Sequence, residues 1–186
     1  MRSPGPRKAQ SVFTATLGLL TELGYDGLTI EGVAARSGVH KTTIYRWWPS
    51  KDALLGAALL DADLLELTVP DTGGIDEDLR ILVGQILRLL TGKATGATVS
   101  AVLGAATHRP ALASLVTDFF ANRLAQERIV FERAVARGEL RAGTDPGMIM
   151  DLLAGAIWLR VLARGETPRA AYVRSIVSLV LDGARP

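Results

Sequence analysis

Thr29–Lys51 reads TIEGVAARSGVHKTTIYRWWPSK, and this stretch decides the fold. It carries the punctuation of two short helices joined at a glycine. Thr29 is a capping residue, and Glu31 lies in the first turn, where the helix dipole favours an acid. Ala34 is small where a second helix must cross. Gly38, four residues on, accepts positive φ without a Cβ penalty. Ile44, six further, pins the second helix to a core, and Val33, Val39 and Trp47 add apolar contacts. Pro49 ends that helix, and Ser50 caps the next. The residues left over between Val39 and Trp48 are His40, Lys41, Thr42, Thr43, Tyr45 and Arg46. Each can donate a hydrogen bond and none is acidic, whereas a solvated helix face ordinarily mixes signs. An ordinary helical hairpin would share the spacing; the acid-free face is what points to DNA.

Charge supports that direction independently. Residues 1–51 hold seven Lys/Arg against three acids, an excess of four, while the remainder holds fourteen against sixteen. The net charge of +2 therefore hides a basic excess beside the hairpin, where a polyanion is favoured by counterion release. Arg7 and Lys8 extend it as a loose electrostatic arm.

Composition bounds the rest. At 186 residues the chain holds one large or two small domains, and its 48% apolar and 22% charged residues are those of a soluble globular protein. The chain has no cysteine, which removes disulfides and thiolate metal sites and fits a reducing cytoplasm. His40 and His108 are far apart, so no metal site suggests itself, and no cofactor motif is present. No run reaches membrane-spanning length: the best, Leu152–Ala163, is short and broken by Arg160. Thr14, Thr16, Thr21 and Glu22 interrupt any signal-peptide core, so the expected location is cytoplasmic.

Apolar residues recur at three and four, and no strand pattern is found. The pattern predicts an all-α chain of about nine helices. Residues 1–6 form an arm. Helix one covers about 7–23 and stops at Gly24, helix two follows Thr29, and helix three covers about 41–47. A long helix four starts at Ser50 and reaches toward the break VPDTGG at 69–74. Helix five covers about 75–90 with the stripe Leu79, Leu82, Val83, Ile86, Leu87 and Leu90. Helix six covers about 96–107 and helix seven 110–138. Thr144-Asp145-Pro146 and Thr167-Pro168 each place a capping residue before proline and start helices eight and nine. The expected division is a helix-turn-helix DNA-binding domain at 1–51 and a larger helical domain at 52–186, with helix four linking across.

The segment GLTIEGVAARSGVHKTTIYRWWPSKDALL, Gly27–Leu55, resembles the TetR family of bacterial transcription regulators. A capped helix two, the helix-turn-helix, the tyrosine of helix three and the aromatic-Pro-Ser-Lys exit carry the resemblance. GELRAGTDPGMIMDLLAGAIWLRVL, 138–162, is similar to C-terminal ligand and dimer domains of one branch of that family. The resemblance implies a homodimer through the last two helices, about 145–163 and 168–183. It also implies a palindromic DNA operator, and repression relieved by a small-molecule effector bound in the C-terminal domain.

Carried over by position, the resemblance nominates Thr29, Lys41, Thr42, Thr43, Tyr45, Arg46, Trp47 and Lys51 for DNA. Lys41 and Arg46 suit guanine edges or phosphates, and Thr42 and Thr43 suit phosphate or a thymine methyl. Tyr45 resembles the family's phosphate-binding tyrosine, with packing alone as the alternative. Lys51 follows the cap of helix four, where the dipole favours a phosphate. Thr29 is a cap first and a phosphate contact second. Trp47 and Trp48 stand where histidine and phenylalanine are frequent in the family. Trp48 is expected to pack against helix one and Trp47 to lie nearer DNA. For the effector, the apolar candidates Phe119, Phe120, Met148, Met150 and Trp158 compete with simple core roles. The rival readings are a constitutive DNA-binding protein without an effector, and an α-helical enzyme. The latter lacks any Gly-rich phosphate loop, GxSxG or HExxH.

Overall fold

In the computed structural model, residues 8–61 and 68–185 are described. The expected arm at 1–6, Arg7 and the stretch in which helix four would cross toward 68 lie outside them. The described residues form α1 (Ala9–Gly27), α2 (Ile30–Ser37), α3 (Lys41–Trp47), α4 (Lys51–Asp61), α5 (Ile75–Thr91), α6 (Lys93–Ala106), α7 (Pro110–Ala136), α8 (Pro146–Trp158) and α9 (Ala170–Ala184). A π-helical turn at Leu159–Ala163 continues α8. No strand occurs among the described residues. The all-α expectation is met.

These helices form two compact units. The first joins the described residues up to Asp61 with 93–117. Here α1 packs against α2, α4 and α6. Its core gathers Val12, Phe13, Leu20, Leu28, Val33, Ile44, Trp48, Leu54 and Leu55 from all four N-terminal helices. Burying each such side chain contributes about 1.5–3 kcal/mol, which a seven-residue helix such as α3 needs, because isolated short helices are marginal in water.

The local signals mostly act as read. Thr29 Oγ1 accepts from Gly32 N at 3.0 Å, and Ser50 Oγ accepts from Ala53 N at 3.0 Å. Gly38 sits at φ 66°, the left-handed turn the hairpin requires. Gly24, at φ 68°, breaks α1 where a stop was expected, but one more turn follows and carries Tyr25. Asp145 Oδ1 caps α8 by accepting from Gly147 N at 2.8 Å, with Pro146 leading the helix. The matching expectation at Thr167 fails. The last helix begins at Ala170 behind Arg169, with no side-chain cap, so Thr167-Pro168 belong to the loop.

The second unit holds the described residues 68–92 and 118–185. In it α5 packs against α8 and α9, burying Ile75, Leu79, Leu82, Val83, Ile86 and Leu90. The VPDTGG break is tied down by Asp78, which is fully buried and accepts from both Thr72 N and Thr72 Oγ1 at 2.8 Å. Glu139 Oε2 accepts from Ile75 N at 2.8 Å and so caps α5 from the α7–α8 loop.

The last long apolar run is longer than its sequence suggests. The π turn extends α8 without a break, so Pro146–Ala163 is an 18-residue helical run with mean hydropathy 1.5, long and apolar enough by composition to cross a membrane. Arg160 lies within the run and does not break it. Only 22% of the run is buried within the chain, and its exposed members include Met148, Leu152, Leu159 and Leu162.

Candidate nucleic-acid interface

The reading head is built from a buried anchor and an exposed face. Ile44 is fully buried, while Lys41, Thr42, Tyr45, Arg46 and Trp47 are exposed and Thr43 is half-buried. Among these, Arg46 lies 6.0 Å from the Trp47 ring centroid. Of the sequence-nominated group, Thr29 is exposed at the cap of α2 and Lys51 is half-buried at the start of α4. The exposed face of α3 carries no carboxylate.

The paired tryptophans differ in burial, and Trp48 packs against α1 as expected. Trp48 is 7% exposed and meets Phe13 of α1 edge-on, ring centroids 5.1 Å apart. Trp47 is 40% exposed. The α1–α2 pairing is further held on the surface by Arg36, which donates to both carboxylate oxygens of Glu22 at 2.8 and 2.6 Å. That hydrogen-bonded guanidinium holds the Glu22 carboxyl below its usual range.

Lys51 has a partner that sequence reading missed. Its Nζ donates to the Tyr25 carbonyl at 2.9 Å and lies 4.0 Å from the Tyr25 ring centroid. Burial, then the charge of Arg109, pushes the Lys51 ammonium below the usual lysine range. The Tyr25 hydroxyl donates to Asp52. Burial first, and that carboxylate second, raise the Tyr25 phenol to about 12. Arg109, from the turn between α6 and α7, lies 4.1 Å from the same ring and donates to Asp26 at 2.6 Å. No local motif could reveal this cluster. Tyr25, Lys51 and Arg109 are separated by 26 and 58 positions and meet only when α1, α4 and the α6–α7 turn pack. The one local hint is Gly24, whose φ of 68° turns the chain before Tyr25.

The effector candidates separate. Phe119 and Phe120 of α7 meet at 5.3 Å, and Phe120 lies 5.5 Å from Trp158 of α8. Met148 is 63% exposed and sits ten residues before Trp158, about 15 Å along the helix. Met150 is buried core, and His108, Asp118 and Asn122 are exposed. On α7, Arg123 and Glu127 form a buried ion pair at 2.5 Å. Burial raises the Glu127 carboxyl, and Arg123 offsets this in part. A separate open groove of about 740 Å³ is walled by Leu124, Arg128, Phe131 and Val135 of α7 and by Thr144–Gly147; none of Phe119, Phe120, Met148 and Trp158 lines it.

A capped helix, a glycine turn and a short helix with a buried anchor and a basic outer face define a helix-turn-helix DNA-binding regulator. The model of bacterial regulatory proteins of the tetR family matches residues 12–58, and that of the tetracyclin repressor-like C-terminal domain matches 69–180. The chain belongs to the TetR family of transcriptional regulators. It is 33% identical over 185 residues to the HTH-type transcriptional regulator YdeS of Bacillus subtilis, covering 99% of this chain and 92% of that one. It is 30% identical over 190 residues to the DNA-binding transcriptional repressor TetR of Mycobacteroides abscessus, covering 100% and 98%. Among solved structures, the TetR family transcription regulator SCO0332 matches with a TM-score of 0.74 and 33% identity, over 97% of this chain and 100% of that one.

Proposed function

We propose that the protein is a ligand-responsive repressor that binds a palindromic operator as a homodimer and is released by a small molecule. The observation that carries the DNA part is the outer face of α3: five exposed residues, Lys41, Thr42, Tyr45, Arg46 and Trp47, around the buried Ile44, with no acid among them. In this reading Tyr45, Thr29 and Lys51 meet phosphates, which position the protein, and Lys41, Arg46 and the threonines meet base edges, which specify sequence. Two such helices in a dimer enter major grooves about 34–36 Å apart or a multiple of that.

Dimer formation is supported by the apolar surface of the last helices. Leu152, Leu159, Leu162 and Leu179 are 57%, 52%, 40% and 73% exposed within the single chain. A second copy is the occupant that the family favours for such a surface. Residues 1–51 then read DNA, and residues 52–186 bind partner and effector. The Phe119–Phe120–Trp158 cluster gives the effector region aromatic surface. An effector shifts DNA affinity only by its differential affinity for the bound and released states. The protein works by binding, with no catalytic step.

Selection of bound sequences from a random duplex pool, followed by gel shifts, tests this. Tyr45→Ala and Lys51→Ala weaken all duplexes about equally, while Arg46→Ala also blurs base preference. Wild-type affinity in all three variants defeats the contact model. A thermal-shift screen against small molecules separates a ligand-responsive regulator from a constitutive one.

A further inference from the structure

The cluster around Tyr25 places two cations on one ring. Lys51 Nζ and the Arg109 guanidinium lie 4.0 and 4.1 Å from its centroid, so the charges are at most about 8 Å apart, within a Debye length at physiological salt. Both carboxylates of the cluster are already engaged: Asp52 by the Tyr25 hydroxyl and Asp26 by Arg109. Lys51 is left with the Tyr25 carbonyl as its hydrogen-bond acceptor, a share of the ring, and the through-space attraction of Asp26 and Asp52 without a hydrogen bond to either. The two cations are not equivalent. Arg109 combines its place 4.1 Å from the ring centroid with a 2.6 Å charged hydrogen bond, whereas Lys51 is a compact ammonium on a flexible stem.

We propose that Arg109 is a positioning residue for Lys51: held by Tyr25 and Asp26, it keeps the lysine weakly seated and ready to exchange the Tyr25 carbonyl for a DNA phosphate. This rests on the reading that Lys51 meets phosphate. Without Arg109, both Asp26 and the ring become available to Lys51. The lysine then settles among Tyr25, Asp26 and Asp52, and a phosphate must compete with them. The lowered proton affinity of Lys51, caused by burial and by Arg109, agrees with a weak seat.

The test uses the full-length protein and a fluorescent 30-base-pair duplex of random sequence, with anisotropy titrations over a salt series. Melting curves identify the temperature at which each variant is folded. Arg109→Gln is expected to weaken binding about five- to tenfold and to flatten the slope of log affinity against log salt by about 0.9, the value for one phosphate. Lys51→Met is expected to do the same, and the double variant no more than Lys51→Met alone. Arg109→Lys, which keeps the charge, keeps the wild-type slope. If Lys51→Met has no effect, the phosphate reading of Lys51 falls and the proposal with it. If Lys51→Met weakens binding but Arg109→Gln adds its full loss on top, Arg109 acts independently and the proposal alone is overturned. Flattening in Arg109→Lys equal to that in Arg109→Gln likewise overturns it, because a structural prop and not a charge is then what was lost.

Discussion

Trp48→Ala and Trp47→Ala should part company completely. Trp48 is 7% exposed and packs edge-on against Phe13, so truncation removes nearly all of a buried indole. A large aromatic buries about 150–250 Å², which at about 25 cal/mol per Å² corresponds to roughly 4–6 kcal/mol. Residual burial in the unfolded chain trims that, and the remaining cavity adds to it, leaving about 3–5 kcal/mol. For a chain of this size that is a fall in melting temperature of roughly 6–20 °C, concentrated in the unfolding of the first unit. Trp47 is 40% exposed and anchors nothing in the core, so Trp47→Ala should cost under about 1 kcal/mol while weakening duplex binding. Urea and thermal unfolding followed by far-ultraviolet circular dichroism measure the first quantity, and anisotropy the second. Equal destabilisation by the two substitutions, or a Trp48→Ala loss below about 1 kcal/mol, would refute the assignment of Trp48 to the core and Trp47 to the outer face.

Gly38→Ala places an alanine at φ 66° with open space around its Cβ, so urea unfolding should show a loss of about 1 kcal/mol and no more. Glu139→Gln weakens the cap on Ile75; the Arg137 hydrogen bond holds the Glu139 carboxyl below its usual range. Its stabilisation is therefore present above the ordinary glutamate range and fades as pH falls through the lowered value. The wild type should lose more stability than the variant on acidification, as read from melting temperature against pH. Leu179→Arg on the outer side of α9 should leave the fold intact by circular dichroism, since the residue is 73% exposed, yet give monomers in sedimentation.

The parts of this fold that were legible in sequence are those decided within a few residues. Thr29, Gly38, Ser50 and Asp145 act through hydrogen bonds or dihedral angles spanning at most four positions, and each does what its type demands. Thr167 is the counterexample: a threonine before a proline has the same local signature, but the helix starts three residues later at Ala170. The Tyr25–Lys51–Arg109 cluster had no such signature: Lys51 stood out only as the residue after the Ser50 cap, and Tyr25 and Arg109 look like ordinary core and surface residues until distant helices meet. The effector region was illegible for a related reason. Phe119, Phe120 and Trp158 come together while Met148 stands apart, a distinction set by helix packing and invisible to residue type.

In α3, the residues that hold the helix in place are separate from those that the proposed function assigns to DNA. Ile44 and Trp48 are buried and fix α3 in place, whereas Lys41, Thr42, Tyr45, Arg46 and Trp47 are exposed and fix nothing in the core. Substitution at an exposed position away from caps and networks usually changes stability by less than about 0.5 kcal/mol. A single base contact, by comparison, discriminates by about 1–3 kcal/mol. Under the proposed contacts, Thr42 or Arg46 can therefore be changed to alter sequence preference with little loss of fold, whereas the same changes at Ile44 would dismantle the helix-turn-helix. Thr29 and Lys51 fall between the two groups, since one caps α2 and the other is seated on Tyr25. A panel of Thr42 and Arg46 variants should thus show altered duplex preference at constant melting temperature. A panel at Thr29 should show both properties moving together, with the cap accounting for about 1 kcal/mol.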